Sequence, residues 1–148
     1  MDIGKCTITE DELVQALEKE TTFTLATCAD NRVSVRPMSH INDGPDVYFQ
    51  TGADSLKMQQ MRANRNVALC VGTYQIEGTA QELGHPLDSG NTFFANAYKL
   101  KHPGSFDSYS AYEDEVVVRV TIHRATQWRY IDGKPCVAEW GGKPHSDM

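Results

Sequence analysis

The sequence predicts a mainly β, α+β domain in which a small antiparallel sheet curls into a barrel with helices at its ends. Six or seven strand-like segments follow one another with short connections, and only three segments carry helical signals. The chain of 148 residues has the size of one ordinary domain and contains no repeat or long linker, so residues 1–148 are predicted to form a single domain. Closure of the barrel is inferred from the number of strands, and an open α+β sheet is the alternative.

The first helix is predicted from its N-terminal capping residues. Thr9 and Glu12 form a T-x-x-E capping box, and Ile8 is placed to pack on Leu13 as a hydrophobic staple. The helix is expected to end near Glu20, because the threonine and phenylalanine residues that follow favour a strand.

The strands are predicted from alternation and from turn residues. In 116–123, aliphatic residues at the even positions alternate with mostly polar ones. Asp-Gly pairs mark turns at 42–45 and 132–135, and the second turn is expected to lead into a tail. The predicted strands are 23–28, 32–41, 46–51, 67–72, 75–83, 116–123 and 126–131, and the two later helices are 55–63 and 92–100.

Composition and charge exclude several function classes. The net charge of −6 would repel a phosphate backbone, so no nucleic-acid partner is expected. No apolar run approaches the roughly 20 residues that cross a bilayer, and the first residues lack the layout of a secretion signal. We therefore expect a cytoplasmic protein without a membrane partner.

The cysteines and histidines predict no metal site. Cys6, Cys28, Cys70 and Cys136 form no C-x-x-C pair, and the five histidines form no H-x-x-x-H pair. Cys28 and Cys70 lie in apolar strands and are expected to be buried. No Ser/His/Asp order is present, and no residue is assigned as a catalytic acid, base or nucleophile.

Residues 51–57 predict an anion site. A strand ends at Thr51, and a helix begins near Ser55, where unpaired N–H groups and the helix dipole attract an anion. Lys57 falls in the first turn, where a cation is disfavoured by roughly 0.3–1 kcal/mol unless an anion neutralises it. Arg36 on a preceding strand can add a forked contact. The alternative is that Ser55 or Asp54 only caps the helix and that both cations are solvated.

Residues 34–39 followed by residues 49–57 resemble the flavin-binding core of the pyridoxamine-phosphate-oxidase-like split barrels, particularly the short general-stress-protein type. The similarity covers roughly residues 12–130. The resemblance implies a split β-barrel that binds FMN. The implied cofactor contacts are Arg36, Pro37, Met38 and Ser39 on the strand bordering the ring, Gln50 and Thr51 on the next strand, Ser55 and Lys57 at the phosphate, and Trp128, which reaches a flavin in the partner subunit.

The sequence departs from this family at three places. Longer members have a second basic residue where this chain has Leu56, and a lysine where it has Ile41. Their C-terminal Arg-x-His substrate segment is missing from 138–144. Fewer cations should weaken flavin binding, and the missing segment argues against oxidation of a vitamin B6 phosphate.

The ring is expected to lie at the interface of a homodimer. A small barrel fills its interior with its own side chains, so a flat cofactor must bind outside it, and a second subunit is the natural lid. Trp128 offers a broad apolar face for this role; the alternative is that it packs under the last strand. His40 shares a strand face with Arg36 and Met38, so it could approach the cofactor or lie at the surface.

Two functions follow from these expectations. The first is an FMN-dependent oxidoreductase that passes electrons from a nicotinamide to a small acceptor, with the flavin supplying the chemistry. The alternative is a non-enzymatic binder or sensor of FMN, haem or deazaflavin.

Overall fold

The computed structural model describes residues 2–141. In chain order they form β1 (Gly4–Thr7), α1 (Glu10–Lys19), β2 (Thr22–Ala29), β3 (Arg32–Ser39), β4 (Ile41–Asp43), β5 (Asp46–Gly52), α2 (Leu56–Ala63), β6 (Asn66–Val71), β7 (Tyr74–Glu82), α3 (Thr92–Lys101), α4 (Pro103–Tyr109), β8 (Glu115–Ile131) and β9 (Lys134–Gly141). A short 3-10 turn, Ser89–Asn91, precedes α3.

The strands form one sheet that curls but stays split on one side. Its main path is β1-β9-β8-β7-β6-β2-β3, and every pair is antiparallel except β1 with β9. β5 pairs with β8 and carries β4 on its other edge. Within residues 2–141, β3 pairs with β2 alone, so the split lies between β3 and the β4–β5 pair. The predicted mainly β split barrel with flanking helices is confirmed.

The long strand β8 holds the two parts of the sheet together. Its residues 115–120 pair with β5, 118–126 with β7, and 124–131 with β9. The register between β7 and β8 shifts at Glu77/Gly78. Gly78 is required there because a Cβ atom would lie 2.6 Å from Val120 Cγ1 and 2.7 Å from the Thr121 carbonyl oxygen.

The helix α1 closes onto the main core as its sequence predicts. The Glu12 backbone N–H donates to Thr9 Oγ1 at 3.1 Å, and Ile8 and Leu13 are both buried in the core. Phe23, Val118 and their neighbours complete this cluster inside the curled sheet. A second, smaller cluster joins α3 to the sheet and consists of Ile41, Phe94, Tyr98 and Val117.

The C-terminal part of the chain differs from the sequence-based expectation. β8 runs without a break through 115–131, and β9 returns beside it. Asp132 and Gly133 have φ angles of 51° and 76°, which suit a two-residue hairpin loop, so the expected tail is wrong for 134–141. Residues 142–144 of that tail lie outside the described residues.

The predicted strand 32–41 is two strands, because the chain turns inward at His40 between β3 and β4. The short strand β1 and the helix α4 were not predicted. β1 has four residues and no alternation of polarity, so its sequence carried little signal.

The expectation that Cys28 and Cys70 are buried is wrong. Cys70 is exposed and Cys28 is half-buried. In β6 the side chains of Val67, Leu69 and Val71 face the core, so the alternation of a strand places Cys70 on the outer face.

Candidate functional site

The start of α2 holds three of the predicted phosphate-binding residues together. Ser55 is the N-cap of α2, and its Oγ accepts from the Met58 backbone N–H at 3.3 Å. Lys57 Nζ donates to Thr51 Oγ1 at 3.0 Å, and the hydroxyls of Thr51 and Ser55 are 3.4 Å apart. Because β5 ends only a few residues before α2, strand and helix present these groups to one place.

Arg36 is held by a network that links β3, β2 and α2. Its guanidinium donates to Thr27 Oγ1 at 2.7 Å, and Thr27 donates in turn to Gln60 Oε1 at 2.5 Å. The amide of Gln60 donates to the Arg32 carbonyl oxygen at 3.1 Å and to Ser34 Oγ at 3.3 Å. Thr27 and Gln60 are both buried, so the network fixes Arg36 from inside the barrel.

Thr27 and Gln60 are functional residues that sequence reasoning missed. Thr27 is the one polar side chain among the inward-facing positions of β2, and Gln60 is buried in α2. A polar residue at a buried position of a strand or helix was the available signal.

The site carries positive charge without an ion pair. Among residues 2–141 neither Arg36 nor Lys57 makes a salt bridge. Burial lowers the pKa of Lys57, and the nearby Arg36 lowers it further, although Glu115 acts in the opposite sense. Burial also lowers the pKa of Arg36. An anion placed between the two cations would relieve both effects.

Glu115 acts electrostatically on Lys57 but makes no ion pair with it among residues 2–141. It is buried, and burial raises the pKa of its carboxyl, as does Asp114 beside it, while Lys57 lowers it. The interaction between Glu115 and Lys57 therefore opposes the effect of burial on both groups.

The other residues predicted on β3 lie along the split. Pro37 is exposed, Met38 packs partly against the core, and Ser39 is half-buried. Since β3 is an edge strand, its backbone N–H and C=O groups on the side away from β2 are available to a ligand. A planar ring with carbonyl and N–H groups suits such an edge.

Gln50 faces away from the cations. Strand alternation places it on the opposite face of β5 from Thr51, where Ser110 Oγ donates to its Oε1 at 2.8 Å. Its Nε2 is buried without a hydrogen-bond partner in the described part of the chain. This amide is a donor that a ligand or a water molecule would satisfy.

Trp128 lies on the outer face of the sheet, away from the cations of its own chain. Its side chain is 45% exposed and meets Tyr130 edge to face at 6.0 Å, so the alternative in which it packs beneath the last strand is wrong. It borders an open groove of about 780 Å³ whose other walls include Val35 and Ala68. Arg36, Thr51, Ser55 and Lys57 do not line this groove.

Neither expected position of His40 is observed. The side chain is fully buried; its Nε2 is 2.9 Å from the Leu17 carbonyl oxygen, and its ring meets Phe23 edge to face at 5.3 Å. Burial lowers the pKa of His40 to about 4, so the neutral ring is a core residue at neutral pH and cannot reach a cofactor.

Two of the family departures can be placed in the fold. Ile41 is buried beside Phe94 in the smaller cluster, so it does not border the cations, whereas Leu56 is 36% exposed in the first turn of α2. Trp140 on β9 is partly buried against the main core.

None of the helices within 2–141 is long and apolar enough to cross a membrane. In the same residues no three His, Cys, Asp or Glu side chains are grouped as metal ligands would be.

The fold and its split edge define a split barrel. A family model described as pyridoxamine 5'-phosphate oxidase matches residues 9–129, which is most of the chain. The chain therefore belongs to the pyridoxamine 5'-phosphate oxidase family, and the resemblance found in the sequence is confirmed. No curated protein matches the sequence significantly.

Three solved structures show how widely this fold is shared. A FAD-binding protein from Mesorhizobium loti is 18% identical, with a TM-score of 0.64 over 80% of this chain and 92% of that one. General Stress Protein 26 from Bacillus anthracis is 16% identical, with a TM-score of 0.62 over 78% and 90%. A heme storage protein from Vibrio cholerae is 12% identical, with a TM-score of 0.65 over 76% and 89%. At these identities the likeness concerns the fold alone.

Proposed function

We propose that this protein binds FMN and uses it as an oxidoreductase, passing electrons from a nicotinamide donor to a small acceptor. The observation that carries the proposal is the cation pair. Lys57 and Arg36 are held close to each other, partly buried, and bonded to neutral hydroxyls instead of carboxylates. Such a pair favours a ligand with a compact dianion, and the phosphate of FMN has that chemistry.

The ring would lie along the split, between the edge of β3 and the end of β5. Arg36, Lys57 and the hydroxyls of Thr51 and Ser55 would hold the phosphate. The edge backbone of Pro37, Met38 and Ser39 would offer hydrogen bonds to the ring. Gln50 would lie on the far face of β5, where its Nε2 has no hydrogen-bond partner among residues 2–141.

When bound, the flavin supplies the hydride and electron chemistry, and the protein supplies position and shielding from water. No residue of this chain is assigned as an acid, base or nucleophile. Oxidation of a vitamin B6 phosphate is not part of the proposal, because residues 138–144 do not carry the Arg-x-His segment that the family resemblance associates with that substrate.

The proposal includes a homodimer with the flavin at its interface. The outer face of the sheet leaves several large apolar side chains exposed, as a surface for a second subunit does. Trp128 would then face a ring bound mainly by the other chain, since it lies away from the cations of its own chain. The exposed apolar residues of β3 and the β8–β9 hairpin are Val33, Val35, Trp128, Tyr130 and Ile131.

The second candidate is a non-enzymatic binder or sensor of FMN, haem or deazaflavin. The observation that favours it is Leu56, which is exposed where longer family members have a second phosphate-binding base. A site with fewer cations suits weaker or different cofactor binding.

Electron transfer separates the two candidates. FMN-loaded protein is mixed anaerobically with NADH or NADPH, and the yellow flavin absorbance is followed before and after air is admitted. The oxidoreductase is expected to bleach and then to recover its colour through repeated turnovers. Bound FMN that never bleaches with either nucleotide would refute the enzymatic proposal and support the binder.

A further inference from the structure

Two cysteines far apart in sequence meet where the first strand joins the last. Cys6 lies on β1 and Cys136 on β9, which are the two strands that pair in parallel within residues 2–141. Their Sγ atoms are 2.6 Å apart, with the Cys136 thiol donating to the Cys6 sulfur, and 130 positions separate the two residues in the chain. The remaining cysteines are not placed in this way: the Cys70 thiol donates to the Gly72 carbonyl oxygen at 3.4 Å.

The two thiols differ in access to solvent. Cys136 is 5% exposed, whereas Cys6 is half-buried and lines an open cleft of about 440 Å³. Lys5, Thr7 and Glu139 form other parts of the wall, so the mouth of the cleft is polar. A small polar oxidant therefore has more direct access to Cys6, which lines the cleft, than to Cys136, which does not.

We propose that Cys6 and Cys136 are a modification site at which hydrogen peroxide oxidises the two thiols to a reversible disulfide. The Cys6 sulfur attacks one peroxide oxygen, the O–O bond breaks, and Cys6 sulfenic acid and one water are produced. The Cys136 sulfur then attacks the Cys6 sulfur, the S–O bond breaks, and a second water leaves. Two thiols lose two electrons and two protons, and the peroxide is reduced to two waters.

The environment of Cys136 fits its role as the resolving thiol. The hydrogen bond to Cys6 raises the pKa of the Cys136 thiol, and burial raises it further, whereas Arg129 lowers it. A thiol whose charged form is disfavoured is a poor first nucleophile toward peroxide, so the first oxidation is assigned to the more accessible Cys6.

The disulfide would fasten the N-terminal edge strand to the C-terminal hairpin. β1 has four residues and pairs only with β9 among the described strands, so it is weakly held. A bond between residues 130 positions apart removes much of the freedom of the unfolded chain. Oxidation is therefore expected to raise the unfolding midpoint by about 5–10 °C.

The test uses the full chain carrying Cys28→Ser and Cys70→Ser, so that only the proposed pair remains. Reduced protein is treated with hydrogen peroxide, alkylated and digested. The expected result is a cross-linked peptide pair joining Cys6 and Cys136, a mass loss of about 2 Da, a higher unfolding midpoint and full recovery of both thiols with dithiothreitol. The matched control adds Cys136→Ser; it is expected to trap sulfenic acid at Cys6 and to show no rise in the midpoint.

The same experiment can overturn the proposal. Full alkylation of both thiols after peroxide, or a disulfide only between two separate chains, would show that the contact does not form a bond within the chain. Oxidation that dithiothreitol does not reverse would contradict a reversible site. None of these readouts depends on a bound flavin.

Discussion

Replacing Lys57 by methionine tests the phosphate site most selectively. Methionine keeps the unbranched shape and most of the apolar contact of the lysine stem but removes the charge and the donors. The variant is expected to lose affinity for FMN and to keep its affinity for riboflavin, which has the same ring and no phosphate. The difference between the two ligands isolates the contact with the phosphate.

The size of the loss follows from the surroundings of Lys57. Its Nζ is part-buried and bonded to Thr51 Oγ1 at 3.0 Å, so it is already aimed at the start of α2. A hydrogen bond to a charged group contributes about 1.5–3 kcal/mol, which is roughly a ten- to hundredfold change in Kd. Because burial and Arg36 both disfavour the charged form of Lys57, the free variant should be as stable as the parent protein or more so.

Fluorescence titration with each flavin measures the two dissociation constants, and thermal unfolding checks that the variant is folded. Lys19→Met is the matched control, since Lys19 is exposed at the end of α1. Equal losses for FMN and riboflavin, or an unchanged Kd for FMN, would show that Lys57 does not hold the phosphate.

Three further predictions concern the supports of the site and the core. Gln60→Met should weaken the binding of FMN about two- to tenfold more than the binding of riboflavin, because Thr27 loses its hydrogen-bond acceptor and Arg36 loses the support of Thr27. Equal titration curves for variant and parent would contradict this. Trp128→Ala should bind flavin more weakly in a flavin titration and should remain a dimer in sizing chromatography. Unchanged flavin affinity in an intact dimer would leave Trp128 outside the site. His40 should cost stability in acid: its folded pKa of about 4 lies below the unfolded value, so the unfolded chain binds the extra proton as pH falls from about 6.5 to about 4. The free energy of unfolding, measured by urea titration, should fall by about 3 kcal/mol over this pH range, and it should fall by less in His40→Asn. An identical pH dependence in the variant would refute the argument.

The sequence predicted the elements whose signals are local. The capping box at Thr9 and Glu12 is made as expected, because capping depends on residues three apart and on nothing distant. The grouping of Thr51, Ser55 and Lys57 was predictable for the same reason, since a strand end and a helix start are joined by a short loop.

The parts that could not be predicted depend on distant contacts. Thr27 and Gln60 are 33 positions apart, and their role appears only when β2 packs on α2. β1 is a strand because β9 lies beside it, and β9 was overlooked because an Asp-Gly turn was interpreted as the start of a tail. His40 was misplaced because strand alternation gives the face of a side chain and not the depth at which that face is covered.

Arg36 on β3 and Lys57 at the start of α2 are together proposed to hold FMN. The most direct test is titration of purified protein, freed of any bound ligand, with FMN while flavin fluorescence is recorded. We expect saturable binding near one flavin per chain and yellow protein after removal of excess FMN. No binding at FMN concentrations of some tens of micromolar, a range that marks weak recognition, would contradict it.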